Sequence, residues 1–454
     1  MDAKKLTGLL LVLCVFVSLF ACNRSSETEP SAEAGTKAPA TRTPNSGIVT
    51  MSPDGEPPEI SGTVKFTYNR GTTENKRRAA NAYIDAFRIQ YPDVAVKRDY
   101  SSSDMRARIA GGDIGDVFFF DDASVYDYAV TQDALMPLEY WMGVLGIYPD
   151  NVYNNIFNTG EVNGHLYYVA SEYIQPVFIY NRDALTVMAL DNKVRTDWTW
   201  SDFLALCEEL SAGGDFYGAA LPLYDALIFT SFISAYTGGS SWYSIGNRRV
   251  DLTSGDMLKA LEEALDACRA GFINIGLSGG FDGREPVFNY TTYPAIDEAA
   301  RTYDMRSVDW DLINLPLFDY PSIGIGSSGV GVYKYTDNPG AAAAFALFFF
   351  TGEGQRAFHG QTGGSVPVLA SLKNDYCWRH AEDAWADKNW DACVYGIDEY
   401  ACIGRFECIF PYEIAELFTN ELTAVLKDAL NGTVPLKEGM AQLEKKINDK
   451  WALL

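Results

Sequence analysis

Positive charge is in short supply in this chain: 36 Lys and Arg stand against 60 Asp and Glu over 454 residues, a formal net charge of −24 with a pI near 4.5. A nucleic-acid binder needs clustered Lys and Arg to neutralise phosphates, so a surface this acidic excludes that class of partner. Histidine is scarcer still, with His165, His359 and His380 too scattered to form a cluster. No Gly-x-Ser-x-Gly elbow, His-Glu-x-x-His zinc helix or Gly-x4-Gly-Lys-Ser/Thr phosphate loop occurs. A glycosidase would need two carboxylates about 5–10 Å apart. Among so many acids a suitable pair in sequence carries no information, so the chain reads as a protein without catalytic residues, cofactor or metal. What it does have is 47% hydrophobic and 13% aromatic residues, enough for large cores and two or three domains.

Long apolar runs are also few. One, Leu6 to Ala21, follows Lys4 and Lys5 and ends at Cys22 before the polar stretch NRSSETEPS. It is short for a membrane-spanning helix, which needs about 20 apolar residues, and its charged start and small final residue mark an export signal. Leu19-Phe20-Ala21-Cys22 resembles the bacterial lipoprotein box, with Phe20 in place of the usual small residue; the alternatives are a plain secretory signal or an uncleaved anchor. The resemblance implies cleavage after residue 21 and lipidation of Cys22, with two or more acyl chains needed for stable anchoring. Removing residues 1–21 takes away a net +1 and leaves −25. Residues 22–59 are Ser, Thr, Pro, Ala, Glu and Gly with almost no large apolar side chain, the composition of a flexible tether. In an exported bacterial chain, the Asn-x-Ser/Thr triplets at Asn23, Asn289 and Asn431 read as chance matches.

Cys207 and Cys268 lie on apolar stripes at helical spacing and read as core thiols. Cys377, Cys393, Cys402 and Cys408 crowd one segment where an exported protein could form one or two local bridges, with the pairing open. Cys377 and His380 lack a second closely spaced pair and make a poor zinc site. Asp387, Asn389, Asp391 and Asp398 fall at calcium-loop positions, but Ala392 replaces the expected Gly, so an acidic turn is the better reading.

From Gly62 onward strands and helices alternate, the signature of an α/β fold. Strands are expected at Gly62–Tyr68, Val94–Arg98, Asp116–Phe120, Gly164–Val169 and Pro176–Asn181. Helices are expected over Thr73–Gln90, Met105–Ile109, Ser124–Ala129 and Ser201–Ala212, the last capped by Thr199. Asp116–Phe120, DVFFF, is apolar enough for a parallel strand buried on both faces. GIGSSGVG reads as a turn between strands.

The order of YIDAFRIQYPDVAVK, RIAGGDIGDVFFFDD, ALMPLEYW, NGHLYYVASEYIQPVFIYNRDAL, TDWTWSDFLALCEEL, DLINLPLF, GSSGVGVYKYTDNPGAAAAFALFFFTGEGQRAFHGQTGGSVPV and LTAVLKDALNGTVPLKEGMAQLEKKIND resembles the family 1 extracellular solute-binding proteins. These are lipid-anchored sugar receptors of bacterial ABC importers similar to maltose-binding protein. The likeness spans residues 62–450, and the Cys- and Trp-rich segment 371–413 departs from it. It implies a type II periplasmic-binding-protein-like fold, two α/β lobes with a ligand cleft between them. One lobe would take residues 60–172 and 292–336, the other 173–291 and 337–454, with crossings near Glu172-Tyr173, Tyr290 and Tyr335–Asp337. It further implies a monomer on the extracytoplasmic face of the cell membrane that delivers a carbohydrate to the permease subunits. The same fold could instead feed a sensor kinase or take a non-sugar solute.

A sugar site needs aromatic platforms and groups that satisfy hydroxyls in pairs, and the loops after strands should supply them. Tyr68, Asn69 and Arg70 follow the first strand, with a capped turn as the plainer alternative. Asp121 and Asp122 follow DVFFF and could equally cap the next helix. Glu172 and Tyr173 lie at the first expected crossing, for ligand contact or hinge packing. Trp242 and Tyr243 sit beside Gly238 and Gly239 in YTGGSSWYS, where exposed rings would need something to stack on them. Tyr290 lies near the second crossing, as does Tyr293, and Ser365 in the Gly364-Ser365 pair could offer its backbone. Trp378, Trp385 and Trp390 read better as packing residues.

Overall fold

The computed structural model describes residues 59–239, 241–277, 284–361, 363–379 and 384–454; the export signal, Cys22, nearly all of the tether, and His380 lie outside them. Among the described residues no helix is long and apolar enough to cross a membrane.

Two sheets organise two hydrophobic cores. The first sheet runs, from edge to edge, Val366–Pro367, Tyr168–Ile174, Ile323–Val332, Val117–Asp121, Gly62–Thr67, Val94–Asp99, with Ala401–Ile403 alongside the start of Ile323–Val332. Its three strands Val94–Asp99, Gly62–Thr67 and Val117–Asp121 are parallel, and their carboxyl ends open on one edge. As its composition predicts, Val117–Phe120 is buried throughout. The second sheet runs Ile273–Asn274, Phe216–Ala220, Glu285–Thr292, Pro176–Asn181, Trp310–Asn314.

Local chemistry explains most helix boundaries. Thr73 caps the helix Glu74–Gln90 by accepting from the Lys76 N–H, and Ala79, Ala80, Tyr83, Ile84 and Phe87 bury one stripe of it. Thr199 and Asp202 form a reciprocal capping box at the start of Trp200–Ser211. The expected helix Ser124–Ala129 is instead a 3₁₀ turn, Asp122–Ser124, followed by a π turn, Asp127–Thr131. Asp122 is drawn away from capping because its Oδ2 accepts from the Ser327 N–H at 2.7 Å.

GIGSSGVG is not a turn. It lies in the fully buried strand Ile323–Val332, set antiparallel between Val117–Asp121 and Tyr168–Ile174. Its glycines let neighbouring elements come close: a Cβ on Gly329 would meet the Val169 carbonyl oxygen at 2.1 Å, and one on Gly324 the Leu227 oxygen at 2.5 Å.

The chain passes from the first sheet to the second at Gln175, between Tyr168–Ile174 and Pro176–Asn181. After Glu285–Thr292 the helix Tyr293–Met305 places Tyr293, Ile296 and Ala300 in the first core. The largest departure from expectation is residues 337–397. They were expected with the second lobe, yet Ala341–Phe350, Phe358, Trp378, Trp390 and Cys393 fill the first core. The helix Pro339–Leu347 is buried on every side from Ala341 onward, which only a position inside an existing core accommodates. The last passage therefore falls at Gly404-Arg405, before Phe406 and the helices Tyr412–Leu430 and Leu436–Trp451 enter the second core.

The six described cysteines are free, so the expected bridges are absent among them. Cys207 and Cys393 are buried among apolar side chains, while Cys402 lies on a strand against Ser322 Oγ at 3.2 Å.

Candidate functional site

Asn69 and Arg70 leave the first sheet at the end of Gly62–Thr67, Asp121 at the end of the adjacent parallel strand, and Glu172 from the strand that carries the first crossing. The structure brings them together. Arg70 pairs with Asp121 and reaches Glu172 Oε1 at 3.6 Å, and Ser328 Oγ donates to Asp121 Oδ1 at 2.6 Å. Burial pushes the Asp121 carboxyl up, but Arg70, Arg405 and the Ser328 hydrogen bond outweigh it and hold the group below the usual carboxylate range. Lys76, on the first helix, lies within the field of Glu172 and Arg70, and burial lowers its pKa.

Successive side chains on a strand point to opposite faces, which splits the Asp121-Asp122 and Ser327-Ser328 pairs. Asp122, 1% exposed, forms an ion pair with Arg405, whose Nε lies 2.8 Å from Oδ1. Burial raises the Asp122 pKa to about 6, opposed by Arg405 and assisted by Asp121. Arg405 is a residue the sequence reading missed, because it sits in the segment 371–413 where the resemblance lapses. Its charge also reaches Asp225 and Tyr290 of the second sheet's side, two groups that act on each other. Asp225 was missed too, although a Leu-Pro-Leu-Tyr-Asp run before an apolar helix is a readable N-cap, and it accepts from the Leu227 N–H at 3.0 Å.

Ser365 is fully buried, and its N–H donates to His359 Nδ1 at 2.9 Å. That bond makes Nδ1 the acceptor, so Nε2–H donates to the Ser171 carbonyl at 2.8 Å, and burial lowers the imidazole pKa to about 3. Among the buried atoms without a hydrogen-bond partner are Asn69 Oδ1, Glu172 Oε1 and Ser365 Oγ, of which Glu172 Oε1 has only its ion pair with Arg70.

Other expected residues are elsewhere. Tyr68, 1% exposed, packs its ring edge-on to Phe119 within the first core. Tyr173 is buried in hinge packing, donating to Gln175 Oε1 at 2.6 Å while Gln175 donates to the Ala392 carbonyl at 2.8 Å. Trp242 is 1% exposed in the second core against Phe229, Phe410 and Phe418, and Tyr243 packs on Phe410. Neither offers an exposed platform, because the C-terminal helices supply the aromatic surface that covers them. Trp378 and Trp390 are likewise core residues, and Tyr293 donates to the Trp378 carbonyl. Asp391 and Asp398, read in an acidic turn, are each held by a cation, Arg379 and Lys373, both at 2.5 Å.

Two sheets joined by short passages, with polar side chains gathered at strand carboxyl ends beside those passages, are the type II periplasmic-binding-protein-like fold. The chain belongs to the bacterial extracellular solute-binding protein family, whose profile matches residues 71–356. Similar solved structures include an ABC substrate-binding protein from Listeria monocytogenes in complex with cycloalternan, at 17% identity and TM-score 0.69 over 86% of this chain and 99% of that one. The sugar-binding protein MalE from Xanthomonas citri is similar at 17% identity and TM-score 0.68, covering 86% and 98%. UgpB from Mycobacterium tuberculosis, in complex with glycerophosphocholine, is similar at 19% identity and TM-score 0.67, covering 87% and 100%. A search of curated proteins finds no match.

Proposed function

We propose that the protein is the extracytoplasmic substrate-binding component of an ABC importer, tethered through a lipid on Cys22, and that its solute is a carbohydrate. The observation that carries this reading is the row of alternating charges Asp121, Arg70 and Glu172, together with Asn69 Oδ1, Glu172 Oε1 and Ser365 Oγ, buried atoms that have no hydrogen bond. Buried polar atoms without partners are costly, and hydroxyls, which donate and accept, would satisfy all three. Guanidinium and carboxylate in alternation favour neither an anion nor a cation and suit a neutral, hydroxyl-rich solute. Such a solute would touch Arg70 and Glu172 on one side and the Asp225–Tyr290 pair on the other. Its differential affinity would raise the closed population that the permease reads.

The test is the thermal unfolding midpoint of residues 60–454 against mono- and oligosaccharides, glycerophosphodiesters, peptides and amino acids. A ligand at 100 times its dissociation constant stabilises by about 2.7 kcal/mol. The expected result is a rise with one group of glycans that Arg70→Met combined with Glu172→Gln abolishes. A rise with glycerophosphodiesters or peptides and none with any glycan would overturn the carbohydrate assignment.

A further inference from the structure

A polar cavity lies on the other face of the crossing strand. Glu172 turns toward Arg70, so Tyr173, its neighbour, faces the opposite way, and there it lines a cavity of about 340 Å³ with Ile325, Tyr153, Asn155, Asp150 and Asp398. That volume lies at the lower end of the range for small-molecule sites. Its wall is rich in acceptors. The Asp398 carboxylate acts on both phenols, Tyr153 and Tyr173, and Asp150 adds a second carboxylate at the rim. Asn155 spends its NH₂ on the Ala401 carbonyl at 2.6 Å, which leaves its acceptor end. Asn151, also on the rim, is closed at both ends by Ser371. Tyr153 Oη is out of contact with solvent and has no hydrogen-bond partner. The Tyr153 and Tyr173 rings stand 6.0 Å apart and supply π surface.

Acceptors, carboxylates and aromatic faces together select a ligand that donates and is positively charged. We propose that this cavity binds a small organic ammonium ion, independently of the solute held by the Arg70–Glu172 cluster. Lys373, bonded to Asp398 Oδ2 at 2.5 Å, sets the competition the ligand must meet and leaves Oδ1 for it.

Equilibrium dialysis and calorimetry with putrescine and with choline test this in the protein comprising residues 60–454, at 0.15 M salt. The expected result is saturable binding of one equivalent. It weakens by about tenfold or more in Asp150→Asn combined with Asp398→Asn, since two charged contacts are lost. Tyr153→Phe, which keeps the ring and removes the orphan hydroxyl, should weaken it without unfolding the protein. Arg70→Met with Glu172→Gln should leave it within about twofold, as for sites without shared partners. No saturable binding of either amine, or equal weak binding in every variant as expected of a diffuse acidic surface, would overturn the proposal. So would loss in the Arg70/Glu172 variant with retention in the Asp150/Asp398 variant, which would move the amine to the other face and leave the carbohydrate reading to its own glycan test.

Discussion

Arg405 is the side chain on which the two halves of the molecule converge, since it pairs with Asp122, just past a strand of the first sheet, and acts on Asp225 and Tyr290 on the side of the second. Removing this partly exposed cation leaves the buried Asp122 carboxylate uncompensated, and a lost partner of a fully buried pair costs roughly 3–5 kcal/mol, an upper bound here. Arg405→Ala should lose stability up to that bound in urea unfolding at pH 7.5. The folded-state pKa of Asp122 is already raised to about 6, so the unpaired carboxyl is least costly when protonated. The deficit of Arg405→Ala should therefore shrink as pH falls through 6, and Arg405→Ala combined with Asp122→Asn should recover much of it. His359 gives the opposite slope. Its folded pKa of about 3 lies below the unfolded value near 6.5, so the unfolded chain binds the proton first. Its contribution is intact above 6.5 and declines by up to about 1.4 kcal/mol per pH unit on acidification towards 3. His359→Gln should show a shallower loss of stability between pH 6.5 and 4.5.

At the scale of elements, what was readable depended on whether side chains or neighbours fixed the conformation. Thr73, Thr199 and Asp202 announce their helices because the caps are local, and DVFFF announces a buried strand through its own side chains. GIGSSGVG carries the opposite local signal, since Gly favours turns, and becomes a strand only because its close neighbours leave no room for side chains. Gly329→Ala should consequently cost about 1–3 kcal/mol, the penalty for overpacking, measured as a lower urea midpoint at unchanged m. Gly143 is the control: it lies in the helix Glu139–Leu145 with nothing near the site of a Cβ, so Gly143→Ala should stabilise by up to about 1 kcal/mol. At the candidate site, strand-end logic named Arg70 and Asp121, while Glu172 came from the crossing that the family resemblance implies. Arg405 was not, because its role comes from a pairing across 283 positions with Asp122 and no local pattern marks it. Trp242 misled for the same reason, as the rings that bury it, Phe410 and Phe418, lie far along the chain.

For the whole molecule, two cores mean two partly separable stabilities. Trp451 is buried in the second core with Leu443 and Ile447 of the same helix and takes no part in the first. Trp451→Ala should cost about 3–5 kcal/mol. It should broaden or split the urea transition, with the second core melting first while amides of the strand Val117–Asp121 stay protected from exchange.

The division of the cores also sets a timetable. The first core takes residues from Val64 to Ile397 and the second from Phe178 to Trp451, so each is threaded through the other in sequence. A chain emerging from its N-terminus first can finish neither until residues far along it have appeared, and the second waits for Trp451. Until then the long apolar strands have no permanent cover, which favours delivery across a membrane while unfolded and makes the interval before the C-terminal helices dock the time of greatest exposure to aggregation and proteolysis.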